Sequence, residues 1–220
     1  MQQQKTSLTI VPDFISKDDA EKIIDLIFKS SNRFNSEVTE EGKQISTADN
    51  TAGNMGWEEA PTKLRNGSSY YIPSFSPNPN PMNDNGFSVN YREDSELWYL
   101  TDKYIMSVSE HIKRMFGIKE LELMASILRR GSVGASMPPH QDGPVLNGQE
   151  LVDIDFSCFV FLNDDFDGGS IIFEELGVSW KPLAGSAIFL SNTSTKLMVH
   201  EIEKITRGQR FSINTFFRAI

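Results

Sequence analysis

Residues 210–216 read Arg210-Phe211-Ser212-Ile213-Asn214-Thr215-Phe216. The period is two: on an extended strand Arg210, Ser212 and Asn214 share one face, and Phe211, Ile213 and Thr215 the other. A guanidinium beside two small polar groups on an otherwise apolar strand has two readings. In one, the polar face is solvated at a sheet edge. In the other, it is buried around a carboxylate, which a planar guanidinium grips through two charge-assisted hydrogen bonds.

Upstream of this strand the same short period recurs. Strand candidates cover residues 121–128, 152–162, 170–173, 186–190 and 196–202, with turn signals at Asp167-Gly168-Gly169, Gly177 and Arg207-Gly208. Before residue 121 the period is helical. Over 95–116, Leu97, Leu100, Tyr104, Val108, Ile112 and Met115 share a face, and Gly117 supplies a stop. An earlier helix is expected from about Ser16, where Ser16 and Asp19 have capping-box spacing. Ala20, Ile23, Ile24, Ile27 and Phe28 then form one apolar stripe, and residues 7–11 before it read as a short strand. Helices first and strands second predict an α+β domain, its strands closing into a barrel or a two-sheet sandwich.

Between the two helices, residues 31–94 lose periodicity, and Asn, Ser, Pro and Gly dominate, as in Ser74-Phe75-Ser76-Pro77-Asn78-Pro79-Asn80-Pro81. A structureless loop of roughly sixty residues is unusual in a compact domain, so short strands are expected within it. The segment is read as a cover over a site or as a plain surface excursion. With residues 144–151, it is also where substrate-lining side chains are expected.

The 220 residues suit one domain spanning 1–220: helical support and a loop-rich insert over 1–120, a β core over 121–220. The formal net charge of −9 argues against nucleic acid or an anionic membrane as the main partner. Cys158 is the single cysteine, which rules out an intrachain disulfide and a cysteine metal cluster. The opening residues carry no apolar signal-peptide run, and a cytoplasmic location is expected.

The chain has three histidines. In Pro139-His140-Gln141-Asp142-Gly143, one residue separates His140 from Asp142, so an extended backbone turns both side chains to one face. His200 lies in another strand candidate and could close the set. Two imidazoles and one carboxylate form a facial triad that leaves positions open on the metal, the coordination associated with Fe(II) oxygenases. By itself His-x-Asp is also compatible with a surface turn. His111, within the second helix, is read as structural or exposed. Cys158 is read as a core residue, and Asp164-Asp165-Phe166-Asp167 as a solvated turn lacking calcium-loop spacing. Glu174-Glu175 is read as a strand end in water. Trp57, Tyr70, Tyr71, Trp98 and Tyr99 are candidates for a substrate groove or for ordinary packing.

His140-x-Asp142, the distal His200, Arg210 ten residues later and a final aromatic strand resemble the prolyl 4-hydroxylase-like 2-oxoglutarate/Fe(II) oxygenases. So do Phe161-Leu162-Asn163 with Gly168-Gly169-Ser170 and Phe173, the segment Pro182-Leu183-Ala184-Gly185-Ser186-Ala187-Ile188-Phe189, and the opening Pro12-Asp13-Phe14-Ile15-Ser16. The resemblance implies a double-stranded β-helix (jelly-roll) core with the N-terminal helices packed on one sheet. It implies a dioxygenase that hydroxylates a C–H bond of a prolyl peptide or a small molecule. O₂ and 2-oxoglutarate would be consumed, succinate and CO₂ released, and ascorbate would serve as reductant.

Carried over by position, His140, Asp142 and His200 are the implied iron ligands. Arg210 is the residue for the far carboxylate of 2-oxoglutarate, with Ser212 or Asn214 nearby. Two positions depart from the family pattern. Arg130 stands where many members have a tyrosine and Phe161 where some do, and both tyrosines commonly help hold the co-substrate. Arg130 is read either as taking over a carboxylate contact or as facing solvent. With Asp142 intact, hydroxylation is favoured over halogenation. The rival classes are a zinc-dependent hydrolase using the same three ligands and a metal-binding jelly-roll module without turnover.

Overall fold

The structure is a computed structural model that describes residues 7–30, 57–64, 95–142, 145–147, 150–193 and 198–220. Strand β1 (Leu8–Val11) leads into helix α1 (Lys17–Ser30), and β2 (Trp57–Leu64) precedes helix α2 (Ser95–Phe116). The β-rich half follows: β3 (Leu121–Gly131), β4 (Met137–His140), the hairpin strands β5 (Val145–Asn147) and β6 (Glu150–Val152), and β7 (Phe156–Phe161). It continues through β8 (Ile171–Phe173), a 3-10 turn at Glu174–Leu176, β9 (Val178–Trp180), β10 (Ala187–Ser191), β11 (His200–Ile202) and β12 (Arg210–Ala219). Where the loop-rich segment is described, it contributes a strand, β2. The expected cover over a site and the aromatic candidates Tyr70 and Tyr71 lie outside the described residues, as do the side chains of Trp57 and Trp98.

Two antiparallel sheets carry the fold. One has six strands in the order β1-β10-β7-β12-β3-β2, the other four in the order β4-β11-β8-β9. Strand alternation sorts β12 into two environments. Phe211, Ile213 and Phe217 join a cluster with Ile23 and Ile27 of α1, Leu97, Val108 and Ile112 of α2, and Val160 and Phe189 of the same sheet. Phe216 on the other face joins Phe159, Phe161 and Ile188 and meets Ile171 and Phe173 of the smaller sheet. The space between the sheets is therefore lined by alternate residues of each strand, as the pleat requires. Arg210, Ser212 and Asn214 point into that space and are almost fully buried. A solvated sheet edge is ruled out for them.

The first helix begins as its sequence dictates. The Ser16 hydroxyl accepts the Asp19 N–H at 3.1 Å, and Asp18 and Asp19 put negative charge on the first turn. Asp19 also receives the Tyr104 hydroxyl and lies 3.1 Å from Lys103 Nζ, which ties α1 to α2. The Tyr104 hydrogen bond, helped by Lys103, holds the Asp19 carboxyl below its ordinary value. His111 stacks on Phe189 with ring centroids 4.6 Å apart, and burial lowers its pKa, in keeping with a structural role. Cys158 is buried and its thiol is raised well above the ordinary value by desolvation. No helix among the described residues is long and apolar enough to cross a membrane.

The acidic run 164–167 holds turns together. Asp167 takes a forked pair of bonds from Arg207 at 2.5 and 3.2 Å, and Asp164 accepts the Ala184 N–H at 3.2 Å. Asn163 bridges to the last strand, accepting the Phe211 N–H at 2.8 Å and donating to the Gln209 carbonyl at 2.6 Å. Gly168 sits at φ +70°, and a β-carbon there would lie 2.0 Å from the Lys204 carbonyl oxygen. Gly177, at φ +62°, has open space around the same position. Gly177→Ala is expected to lose about 1 kcal/mol from the left-handed backbone alone. Gly168→Ala is expected to lose more than about 2 kcal/mol, because backbone strain and collision add. Urea denaturation of both variants checks the difference; equal losses would contradict the packing around residue 168.

Candidate metal centre

Strands β4 and β11 run antiparallel and set His140 directly opposite His200. Asp142 lies two residues beyond the end of β4. The potential ligand atoms of these three side chains all lie within 4.8 Å of one another. His200 is 2% exposed, and its ring packs against Phe159 and Phe173. The His140 and His200 ring centroids are 4.4 Å apart. The set proposed from sequence is thus brought together from two strands and a loop.

Local bonds prepare both rings for a metal. His140 Nδ1 lies 2.8 Å from the Pro138 carbonyl, and His200 Nδ1 lies 2.9 Å from the Met198 carbonyl. A carbonyl oxygen only accepts, so each Nδ1 carries the proton and donates. In a neutral ring with that proton on Nδ1, Nε2 keeps its lone pair, the tautomer a metal requires. Burial, with His200 alongside, lowers the pKa of His140 and favours its neutral form. Asp142 supplies the clearest sign of fit: its Oδ2 is buried and has no hydrogen-bond partner among the described residues. A buried carboxylate oxygen left so is costly unless a cation completes it. Two neutral imidazoles and a carboxylate fit a divalent transition metal such as Fe(II).

The triad opens into a cavity of about 170 Å³, lined also by Arg129, Phe159, Arg210, Asn214 and Phe216. Arg210 starts β12 and is 2% exposed. Its Nη1 donates to the Gly169 carbonyl at 2.8 Å, and its guanidinium lies over the Phe161 ring, 4.9 Å from the centroid. Phe161 thus gives the guanidinium a flat apolar support. Desolvation, then the charge of Arg129, pulls the Arg210 pKa below the usual arginine range. An anion entering the cavity would relieve both effects. Ser212 does not line the cavity; its hydroxyl donates to Asn214 Oδ1 at 2.8 Å and so turns the amide of Asn214.

Arg130 requires a correction. It pairs with Phe211 across β3 and β12, whereas Arg129 pairs with Ser212. Paired residues share a face, so Arg130 follows Phe211 to the helix side and Arg129 follows Ser212 to the cavity. Arg130 is buried rather than facing solvent, and it is Arg129 that lines the site. Residues 145–147 and 150–152 form a small hairpin, and the rest of 144–151, expected to carry substrate-lining groups, lies outside the described residues. A larger cavity of about 690 Å³ lies between α1 and the 162–165 and 208–211 segments, away from the triad.

No protein-family model matches the chain. Prolyl 3-hydroxylase 1 of Rattus norvegicus is 36% identical over 98 residues, a match that covers 38% of this chain and 13% of that protein. The chain thus spans about an eighth of the length of this curated relative. Among solved structures, the viral collagen prolyl hydroxylase of Paramecium Bursaria Chlorella virus-1, in its 2-oxoglutarate complex, superposes with a TM-score of 0.63. It is 14% identical, and the match covers 98% of this chain and 97% of that one. A prolyl hydroxylase from Trichoplax adhaerens, bound to a hypoxia inducible factor peptide fragment, gives 0.57 at 12% identity, covering 97% of this chain and 84% of that one. At such low identity, what the solved structures share with this chain is the jelly-roll fold.

Proposed function

The chain has the fold of the prolyl hydroxylase-like 2-oxoglutarate/Fe(II) oxygenases, and from that premise we propose that it hydroxylates a C–H bond with release of succinate and CO₂. One observation carries the reading: a two-histidine, one-carboxylate set and a buried arginine share a single small cavity. In this reading His140, Asp142 and His200 would hold the iron. Iron with 2-oxoglutarate would supply the activation of O₂, coupled to oxidative decarboxylation of the co-substrate.

The chain's own groups do the rest. Arg210 binds the far carboxylate, held in place by the Gly169 carbonyl and Phe161. Phe159, Phe173 and Phe216 surround the triad with apolar surface and limit water there. The two helices brace the six-stranded sheet from behind, which fixes where β12 presents Arg210. A hydrolase with the same ligands would leave this clamp without a task.

The substrate we propose is a prolyl residue of a peptide. Its support is the chemistry named for similar proteins: prolyl 3-hydroxylation for the rat relative, and a bound peptide fragment for the Trichoplax enzyme. At about 170 Å³ the inner cavity suits a small co-substrate, so the peptide would lie across its mouth. The test is incubation of the Fe(II)-loaded chain with 2-oxoglutarate, air and a panel of proline-containing peptides. Succinate formation matched by one added oxygen atom on a peptide is expected. Peptide cleavage, or turnover that persists without O₂, would overturn the proposal.

A further inference from the structure

The wall of the triad cavity carries a thioether that neither the metal site nor the Arg210 clamp uses. Met137 opens β4 and lines the cavity with His140 and His200. Met137 and His140 stand three positions apart, an odd spacing that would put them on opposite faces of a regular strand. The pairing with β11 shifts register between them: Met137 lies opposite Ile202, and His140 opposite His200. Ile202 and His200 are two positions apart and both buried, so the irregularity turns Met137 inward beside the triad. Met137 is 7% exposed, and it is the only methionine on the cavity wall among the described residues. Met124 and Met198 are just as deeply buried in the neighbouring cluster but do not line the cavity, and Met106 on α2 is 52% exposed.

We propose that Met137 is the chain's own oxygen acceptor: when 2-oxoglutarate and O₂ are consumed with no peptide in place, its sulfur is oxidised to the sulfoxide. The inference rests on the oxygenase reading above and adds to it a modification site. The balance closes without a further reductant. 2-Oxoglutarate loses CO₂, supplies two electrons and becomes succinate with one atom of O₂. The thioether supplies two more electrons and takes the other atom, with no proton gained or lost. Its polarizable sulfur offers a lone pair, so no bond at Met137 has to break. Oxidation of Ile202, Phe159 or Phe216 on the same wall would have to replace a C–H bond. The product is a polar, chiral side chain facing the cavity. An oxidant dissolved in water meets exposed sulfur first, which favours Met106; oxidation from inside the cavity reverses that order.

The test is peptide mass spectrometry of the full chain after incubation with Fe(II), 2-oxoglutarate and air, without peptide substrate. Cleavage at lysine and arginine leaves Met106, Met124, Met137 and Met198 on separate fragments. One added oxygen, localised to Met137 by fragmentation, is expected, with Met124 and Met198 unchanged. It should be lost when 2-oxoglutarate is left out. Hydrogen peroxide applied to the metal-free chain should give the opposite order, with Met106 well ahead of Met137. Succinate formed while Met137 stays unmodified would overturn the inference, as would oxygen on Phe159 or Phe216 in its place. Oxidation in the peroxide order, or succinate formed only when a peptide is present, would overturn it too. A chain that binds Fe(II) but no 2-oxoglutarate would instead overturn the oxygenase reading, and the inference with it.

Discussion

His200→Ala is expected to abolish turnover and to weaken divalent-metal binding by more than about 100-fold, beyond what loss of an outer-shell partner brings. The reason is geometric. His140 and Asp142 come from one short segment, and only His200, across the β4–β11 pair, supplies the opposing ligand. Its ring is set by the Met198 carbonyl on one side and by Phe159 and Phe173 on the others, and among the described residues no other metal-ligating side chain joins the set. Loss of the imidazole leaves a small void between the sheets and should lower stability only modestly by comparison. Co(II) titration followed by its visible spectrum, beside circular dichroism of the metal-free variant, separates the two effects. Wild-type Co(II) affinity in a folded His200→Ala chain would remove His200 from the site.

Arg210→Met should produce the second large effect, a loss of 2-oxoglutarate affinity of about 100- to 1,000-fold. That corresponds to the roughly 3–4 kcal/mol expected for truncating one side of a buried charge pair. Metal binding should be retained, since Arg210 touches none of the three ligands in the contacts described. Stability should move far less than affinity. A buried guanidinium with lowered pKa destabilises the protein before any anion is bound, and a methionine of similar length removes that burden. The loss of the bond to Gly169 works in the opposite direction. A thermal melt of the ligand-free chain, set beside ligand titration, shows the split. Parallel collapse of both would mean that Arg210 is a structural residue.

Much of this was legible in the residues because period and spacing are local. The helix over 95–116 matched to the residue, since its apolar stripe and terminal glycine both lie within the segment. The strand at 210–219 announced its two faces through alternation alone, and both proved to be buried, the polar one between the sheets. His140, Asp142 and His200 could be grouped because the chain has only three histidines and one of them is a single residue away from a carboxylate. What escaped depended on pairing between distant strands. Strand β2 carries Pro61 and a run of charge, and nothing in that composition marks a strand. It forms at the sheet edge because β3 offers it partners, with a register shift just after the proline. The consecutive Arg129 and Arg130 could not be phased from sequence, since a shift of one residue exchanges the faces. Their phase is set by Ser212 and Phe211 on β12, some eighty residues away in sequence.

The most direct test of the account is anaerobic. Fe(II) and then 2-oxoglutarate are added to the chain, and the visible spectrum is followed for the weak charge-transfer band of the metal–keto-acid chelate. The account predicts that the band grows to saturation with 2-oxoglutarate at one equivalent of iron per chain. It should be absent from His200→Ala and should require far more 2-oxoglutarate in Arg210→Met. An iron-loaded wild-type chain that shows no band at any 2-oxoglutarate concentration would contradict it.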